Sequence, residues 1–541
     1  MSDVVTVGFA CVFGIWSCVV LVVQSIGIFQ IFRQYSRPPR RAAVEALPDE
    51  AVPHVTVIRP VKGLEPALYE CIASTFRQSY PRSRLSVHLC VEDRDDAALA
   101  VLEQVVADFP GVDARIYVEA EDPLLHGADG HHNNLGPNPK IRNISRAYRE
   151  ARGDIVWIVD CNVWVAEGVA GRMVDKLCGI GENGTQAKPY KFVHQLPLVI
   201  DITRGGEDEQ LQESSATVAS RISRLLAGGG GRLDEMFMAT THAKFYCAIN
   251  TVGVAPCILG KSNMFRRSHL DRLTDPACNP TVLSAADNDR GRGIDFFSSY
   301  ICEDHLIGDL LWRSPLPGFR NHGLAAGDLA LQPMADTSVR AYAARRVRWL
   351  RVRKWTVLLA TLVEPGVESM LCCFYAAFAI TTLVPRAPAA SLLGRLAALL
   401  AIRPVWTVTL RGWLVGVAVW LVADWFTSNH LLACRPVDVD LATTPRFARG
   451  RGSTALRRNG RPRRPFVVWL AAWLGRELLA LPIWTWAVLL GTTVSWRGKQ
   501  FRVRLDMSVV EIDGNGKAIS SSDPEPVRDS VATRTSKARL D

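Results

Sequence analysis

Residues 4–32 contain no Asp, Glu, Lys or Arg. No other feature constrains the chain as strongly, because a helix needs only about 20 apolar residues to cross the hydrocarbon core of a bilayer. A cleaved secretory signal would place positive charge ahead of a shorter apolar run. Here the N-terminus carries Asp3, and Arg33, Arg37, Arg40 and Arg41 follow the run. Residues 1–33 are therefore expected to be a retained transmembrane anchor. Basic residues stay on the cytoplasmic side, which places the N-terminus outside or in a lumen and the chain from Arg33 onward in the cytosol. Residues 34–53, with four prolines, read as a linker.

A second apolar concentration occupies 354–496. Residues 369–385 and 478–496 are free of charge, and 404–433 is interrupted by Arg411 and Asp424. Ionisable groups at such depth are costly unless they are paired or face protein, so some of these segments are expected to be re-entrant or interfacial. The basic loop at 434–465, with nine Arg against two Asp, belongs on the cytosolic side. If every candidate crosses, the C-terminus is lumenal. Arg497, Lys499, Arg502 and Arg504 argue against that, so the side of the polar tail at 497–541 stays open. The tail is expected to become disordered toward its end. The net charge of +10 is concentrated in membrane-proximal Arg, which suits anionic headgroups and gives no sign of nucleic-acid binding. Thirteen Cys without a Cys-x-x-Cys pair read as reduced thiols in a cytosol-facing protein.

Between the apolar blocks, residues 54–353 are long enough to bury a sizeable core. Apolar, β-branched runs at 55–60, 85–91, 114–118 and 154–159 alternate with helical patterns at 64–78, 93–109 and from Asn138-Pro139 to Gly153. The alternation predicts an α/β fold, a doubly wound and mostly parallel sheet with membrane helices at both ends of the chain. Such sheets bind ligands beyond the carboxyl ends of their strands, so residues there carry the functional weight.

Asp93, Asp95 and Asp96 follow the second run, and Asp160 directly follows the fourth. Asp95 or Asp96 is equally suited to cap a helix. A carboxylate at Asp160 can hold a hard cation against a diphosphate. Lys140, in the first turn of the third helix, adds charge where a helix N-terminus already attracts phosphate. Asp304 begins a further helix predicted at 304–312 and is placed to act as a general base. Arg345, Arg348 and Trp349 end a helix that enters the membrane block, where Arg suits either phosphate binding or snorkelling at the interface.

This order (Asp-rich loop, Asp after an apolar strand, Glu303-Asp304, R-x-x-R-W, membrane segments) resembles that of the ceramide glucosyltransferase family, with its GT-A catalytic core. Residues 57–78 resemble the family's opening block, Asn138-Pro-Lys-Ile-Arg-Asn143 its N-P-K-I-x-N motif, and Gly491-Thr-Thr-Val-Ser-Trp-Arg497 its C-terminal motif. The resemblance runs from residue 4 to about 504. It implies transfer of glucose from UDP-glucose to ceramide with inversion, a divalent cation (Mg2+ or Mn2+), and residence in the Golgi or endomembrane with the catalytic domain facing the cytosol.

The resemblance also assigns roles. Uridine contact falls within Asp93–Asp96, most of all at Asp96. Asp160 takes the metal, Asp304 is the base, and Arg345, Arg348 and Trp349 form the R-x-x-R-W motif. Lys140 and Asn143 lie near the donor, and His194 matches the family's active-site histidine. Two departures stand out. Asp160-Cys-Asn162 is not a D-x-D, which leaves one carboxylate for the metal, and residues 283–297 and much of 385–402 look like inserted surface loops. A processive polysaccharide synthase shares such a motif series but usually needs more helices to build a polymer channel. A polyprenyl-phosphate sugar transferase, or an inactive membrane scaffold with a degenerate transferase domain, would also fit the pattern.

Overall fold

The structure, a computed structural model, describes residues 3–126, 135–181, 185–203, 223, 226–450, 464–514 and 516–519. One sheet contains β1 (Val55–Pro60), β2 (Leu85–Val91), β3 (Asp113–Val118), β4 (Ile155–Val159), β5 (Trp164–Val165), β6 (Tyr190–Asp201), β7 (Ser262–Arg266) and β8 (Arg320–Met334). Their spatial order is β3-β2-β1-β4-β7-β6-β8-β5. The first four are mutually parallel, β7 is antiparallel to both of its neighbours, and β6 and β8 are parallel. The sheet is thus mostly parallel with a reversed centre, as the alternating runs led one to expect.

Alternation along each strand decides which helices it meets. Ile155, Trp157 and Val159 join one core with Ile72 and Phe76 of helix Leu68–Phe76, Leu102 and Val105 of helix Leu99–Asp108, and Met173 of helix Val169–Cys178. Val156 and Ile158 join the other, with Ile141 and Ile144 of helix Pro139–Arg149, Leu270 of helix Arg267–Leu273 and Ile307 of helix Glu303–Arg313. Both faces are covered, which is why these strands read as continuous apolar runs.

Several expectations are corrected by packing. The linker is docked: Ala42, Val44 and Val52 lie in the first core, and Asp175 accepts from the Val44 N–H at 2.8 Å. The presumed surface loop at 283–297 sends Ile294, Phe296 and Phe297 into the second core, and Asp295 accepts from Ser145 Oγ at 2.6 Å. The helix read at 93–109 starts only at Leu99, because residues before it form a turn held by Asp96. The polar tail begins as a sheet, β9 (Thr493–Trp496), β10 (Lys499–Val503) and β11 (Val509–Ile512), whose Val494, Phe501 and Val503 pack on Ile301, Cys302 and Val352. Its expected disorder falls on residues 520–541, outside the described residues, as do residues 451–463 of the basic loop.

Among the described residues, four helices are long and apolar enough to cross a membrane: Asp3–Gln34, Ser369–Arg386, Trp406–Leu432 and Phe466–Leu489. Val12, Ile15, Val415 and Val419 point outward, more than 60% exposed, as residues facing acyl chains do. The anchor packs on the chain's own membrane block. Phe13 stacks on Tyr375 at 4.4 Å, and a Cβ at Gly27 would come within 2.0 Å of the Lys244 carbonyl oxygen. The last of the four differs from its sequence reading. It begins at Phe466 and carries Arg476 and Glu477 in its middle, where a charge-free segment at 478–496 was expected.

Those charges are tolerated because they are paired in the protein interior. Arg476 bonds Glu368 Oε2 at 2.6 Å and also meets Glu477. Asp424, fully buried in the third helix, accepts from Lys244 Nζ at 2.6 Å and from Trp473 Nε1 at 2.8 Å. Removing one member of a buried pair strands the other charge, which costs about 3–5 kcal/mol, whereas replacing both by apolar groups is often neutral. Lys244→Met or Asp424→Leu alone should therefore markedly lower the thermal unfolding temperature of the detergent-solubilised protein. The double variant should recover most of the loss; a double variant as unstable as the sum of the singles would deny the pair this role.

Candidate active site

Asp160 follows β4 at its carboxyl end, and its backbone N–H donates to the Lys261 carbonyl at 3.1 Å. Its carboxylate receives two ammonium groups, Lys261 Nζ at 2.8 Å and Lys140 Nζ at 3.0 Å. Lys140 is held in place by local sequence. Pro139 occupies the first turn of its helix, and the Asn138 side chain caps it by accepting from the Lys140 and Ile141 N–H groups at 2.8 and 3.1 Å. The same ammonium reaches Glu303 Oε1 at 3.0 Å. Asn138 Nδ2 also donates to Glu303, at 3.3 Å. Asp304 comes next, at the start of the helix that Glu303 opens.

The short segment Leu259-Gly260-Lys261 collects three motifs. Leu259 packs in a cluster with Trp349, Phe237, Val199 and Met334. Gly260 lies against Asp304, where an added Cβ would sit 3.0 Å from the carboxyl group and press it aside by a few tenths of an ångström. Lys261 pairs with Asp160. Neither Lys261 nor Glu303 stands out in the sequence. An isolated Lys in a loop carries no periodic signal, and Glu303 reads there as the neighbour of Asp304, not as the second partner of Lys140.

Electrostatics separate the carboxylates. Burial works to raise the Asp160 carboxyl, but Lys140 and Lys261 outweigh it and hold the group well below the usual carboxylate range. Burial raises Asp304, the charge of Asp160 adds to that, and Lys140 opposes it, with a net rise. Glu303 is likewise raised, by burial first, against the pull of Lys140. Burial works to lower Lys140, but the surrounding carboxylates keep it protonated. One carboxylate is fixed as an anion while its neighbour is raised toward the working range of a general base.

The other predicted residues are distributed around this centre. Asp93 and Asp95 are exposed at the end of β2. Asp96 accepts from the Gly63 N–H at 2.8 Å and the Ala98 N–H at 2.9 Å, so it ties the loop after β1 to the turn before the next helix. It holds the turn ahead of that helix and does not cap it, since the N-cap position is Ala98. Asn143 straps the ends of β1 and β2 by donating to the Val61 and Cys90 carbonyls, each at 3.2 Å.

His194 is fully buried in β6, opposite Asn263 of β7, with Nδ1 2.5 Å from the Tyr246 hydroxyl. Burial, followed by its neighbour His322, depresses its pKa far enough to keep the ring neutral. Arg345 bonds Asp234 at 3.3 Å and Gln332 at 3.2 Å, and its guanidinium lies over Trp349 at 4.7 Å. Arg348 is half-buried on the same helix, Val339–Arg353.

Sheet and rim together define a class: a GT-A-type glycosyltransferase domain mounted on apolar helices. The model described as glycosyl transferase family 21 matches residues 18–189 and 281–509. The ceramide glucosyltransferase of Pyricularia oryzae is 59% identical over 510 residues, 94% of this chain and 96% of that relative. That of Gibberella zeae is 47% identical over 92% of each. The chain belongs to glycosyl transferase family 21. Among solved structures, the mannosyltransferase PcManGT from Pyrobaculum calidifontis, in complex with GDP-Man and Mn2+, is similar with a TM-score of 0.34 and 16% identity over 78% of this chain and 98% of that one.

The raised carboxyl of Asp304 has a kinetic consequence. Were Asp304 the general base, it would have to be ionised to act, and turnover would fall as pH drops through its raised value. Lys140 favours the ionised form, and its removal pushes that value higher. In Lys140→Met the acid limb of the kcat profile, measured at saturating donor, should move toward higher pH. An unmoved or lowered limb would separate Lys140 from the base.

Proposed function

We propose that the chain transfers glucose from UDP-glucose to the primary hydroxyl of ceramide, by a single inverting displacement at the cytosolic face of an endomembrane, in the Golgi. The observation that carries the reading is the juxtaposition of ion-paired Asp160, Lys140 and Lys261 with raised, half-buried Asp304 on the carboxyl-end rim of the sheet. The near-full-length similarity to ceramide glucosyltransferases supports the choice of donor and acceptor. Asp304 takes the hydroxyl proton as the acceptor oxygen attacks the anomeric carbon, the bond from that carbon to the diphosphate oxygen breaks, and UDP leaves with the electron pair. Lys140, Arg345 and Arg348 balance diphosphate charge, Arg345 by exchanging Asp234 for phosphate. Asp93–Asp96 and Asn143 shape the uridine side, His194 stands behind the site as a neutral ring, and Trp349 supports the acceptor side.

Among the described residues no group of three or more His, Cys, Asp or Glu could hold a metal by itself. A cation carried by a diphosphate needs only one or two protein oxygens, the rest of its shell coming from phosphate and water. Asp160 retains lone pairs beyond its two ammonium contacts. Asn162 Oδ1, at the second position of the degenerate D-x-D, is buried without a hydrogen-bond partner. The donor set therefore fits, and Asp160 with Asn162 would hold Mg2+ or Mn2+, which when bound stabilises the UDP leaving group.

The four apolar helices support three crossings. Both ends of Phe466–Leu489 are fastened to the α/β domain. At the start, Arg464 pairs with Asp201 at 2.6 Å and Glu235 at 3.1 Å. At the end, Lys354 donates to the Val488 carbonyl and Arg351 to the Thr493 carbonyl. This helix lies along the cytosolic leaflet, and the tail is cytosolic.

Asp304→Asn should lower kcat by about two to four orders of magnitude while leaving UDP-glucose binding intact, with the product followed as a labelled, ceramide-dependent lipid from UDP-[14C]glucose. Unchanged turnover sinks the base, and a labelled polymer sinks the acceptor. An Asn-x-Thr glycosylation site appended after Asp541 should remain unmodified in cells while one appended before Met1 is glycosylated. Modification of the C-terminal site would make the fourth helix a crossing.

A further inference from the structure

The turn between β9 and β10 consists of Arg497 and Gly498, with Trp496 paired to Lys499 across it. Both turn residues have positive φ, 50° and 78°. Tight hairpins of this kind favour Asn or Gly at the first position, and a long side chain in the left-handed region is uncommon. The guanidinium lies over the Trp496 ring, 5.5 Å from its centroid, a contact on which the backbone pairing of the hairpin does not depend, and such outliers persist where function requires them. The side chain is half-buried, and its Nη1 is shut off from solvent without a hydrogen-bond partner. A buried guanidinium nitrogen lacking an acceptor is costly unless a ligand supplies one.

The hairpin is fixed beside the rim. The Val509 N–H donates to the Ser299 carbonyl at 2.9 Å and Arg351 Nη1 to the Thr493 carbonyl at 2.6 Å. Val494 and Phe501 pack on Ile301 and Cys302, immediately ahead of Glu303 and Asp304. The Arg497 charge acts on Glu92, at the end of β2, and on Cys161, the residue after Asp160. At the rim itself the cations are already answered: Lys140 and Lys261 by Asp160 and Glu303, and Arg345 by Asp234. A diphosphate brings further negative charge, which Arg345 meets only by giving up Asp234 and Lys140 only by sharing itself with Asp160 and Glu303.

We propose that Arg497 donates to the diphosphate oxygens of the sugar-nucleotide donor, and that the C-terminal hairpin is a wall of the donor site. This rests on the sugar-nucleotide reading above. Guanidinium suits the task because its planar fork meets two phosphate oxygens at once. The hairpin accepts the less favourable turn residue because the turn is the point that reaches the rim.

The test uses the full-length protein in lipid nanodiscs, with binding of UDP-glucose, UDP and uridine measured by calorimetry or competition. Arg497→Asn places a turn-compatible residue at the positive φ. It should keep or raise thermal stability, weaken UDP-glucose and UDP at least tenfold, and leave uridine binding unchanged, with Arg497→Lys in between. Undiminished UDP-glucose affinity in Arg497→Asn, with the wild type binding normally, overturns this inference alone. Lowered stability with uridine and UDP weakened alike also overturns it, since the residue would then only hold the hairpin. Failure of the wild type to bind UDP-glucose overturns the donor assignment and this inference with it.

Discussion

One ammonium group holds the site together. Lys140 Nζ stands 3.0 Å from Asp160 and 3.0 Å from Glu303, so it joins the end of β4 to a helix that begins over 140 positions later in the chain. Remove that charge and buried Glu303 loses its cation, with Asp304 beside it and Asp160 left to Lys261 alone, an arrangement that would protonate or open. With it in place, Asp160 stays ionised at the rim and Asp304 is raised only part of the way. The capped first turn that carries Lys140 is therefore as much a part of the chemistry as the carboxylates are. Its rigidity comes from Asn138, which caps the helix and also donates to Glu303.

The second organising element is a three-residue segment. Leu259 packs on the cluster that Trp349 also joins, Gly260 lies against Asp304, and Lys261 pairs with Asp160. Motifs from three distant parts of the sequence thus share one short piece of backbone, tightened by the Lys261 N–H donating to the Leu259 carbonyl at 2.8 Å. Displacing this backbone by a few tenths of an ångström would alter the surroundings of Asp304 and Asp160 together. Preorganisation of this kind lets electrostatic stabilisation act without further rearrangement.

Much of this is readable in the sequence, for identifiable reasons. Strands buried on both faces announce themselves as unbroken apolar runs, so Asp160, directly behind one, stands out. Asn138-Pro139 has a local signature, and it places Lys140 correctly. Lys261, Glu303 and Gly260 have no such signature, because their importance is purely one of tertiary contact. Asp96 and Asn143 show the reverse. Their residue types invite a ligand role, yet their side chains bind backbone at the ends of β1 and β2. A carboxylate and an amide at a strand end serve the loop and the ligand with the same atoms, and sequence does not rank the two uses.

The membrane block departs from its sequence reading for a related reason. A window of charge-free residues places the last helix at 478–496, since hydropathy penalises Arg476 and Glu477 as though they faced lipid. Both are buried instead, Arg476 against Glu368 and Thr241 and Glu477 against Arg476, while Val467, Leu474, Leu478 and Leu481 take the outward positions. Hydropathy reports the mean polarity of a segment and not the side on which it lies. A helix with a charged seam turned inward and an aliphatic edge turned outward fits the boundary between a soluble domain and a bilayer. Its inner side packs through Ile483, Ala487 and Val488 on Tyr342 and Leu350 of the helix that bears Arg345, Arg348 and Trp349. On the proposed interfacial placement of this helix, its depth in the leaflet would set the height of the R-x-x-R-W helix above the lipid, and with it the access of the proposed membrane-resident acceptor to the rim.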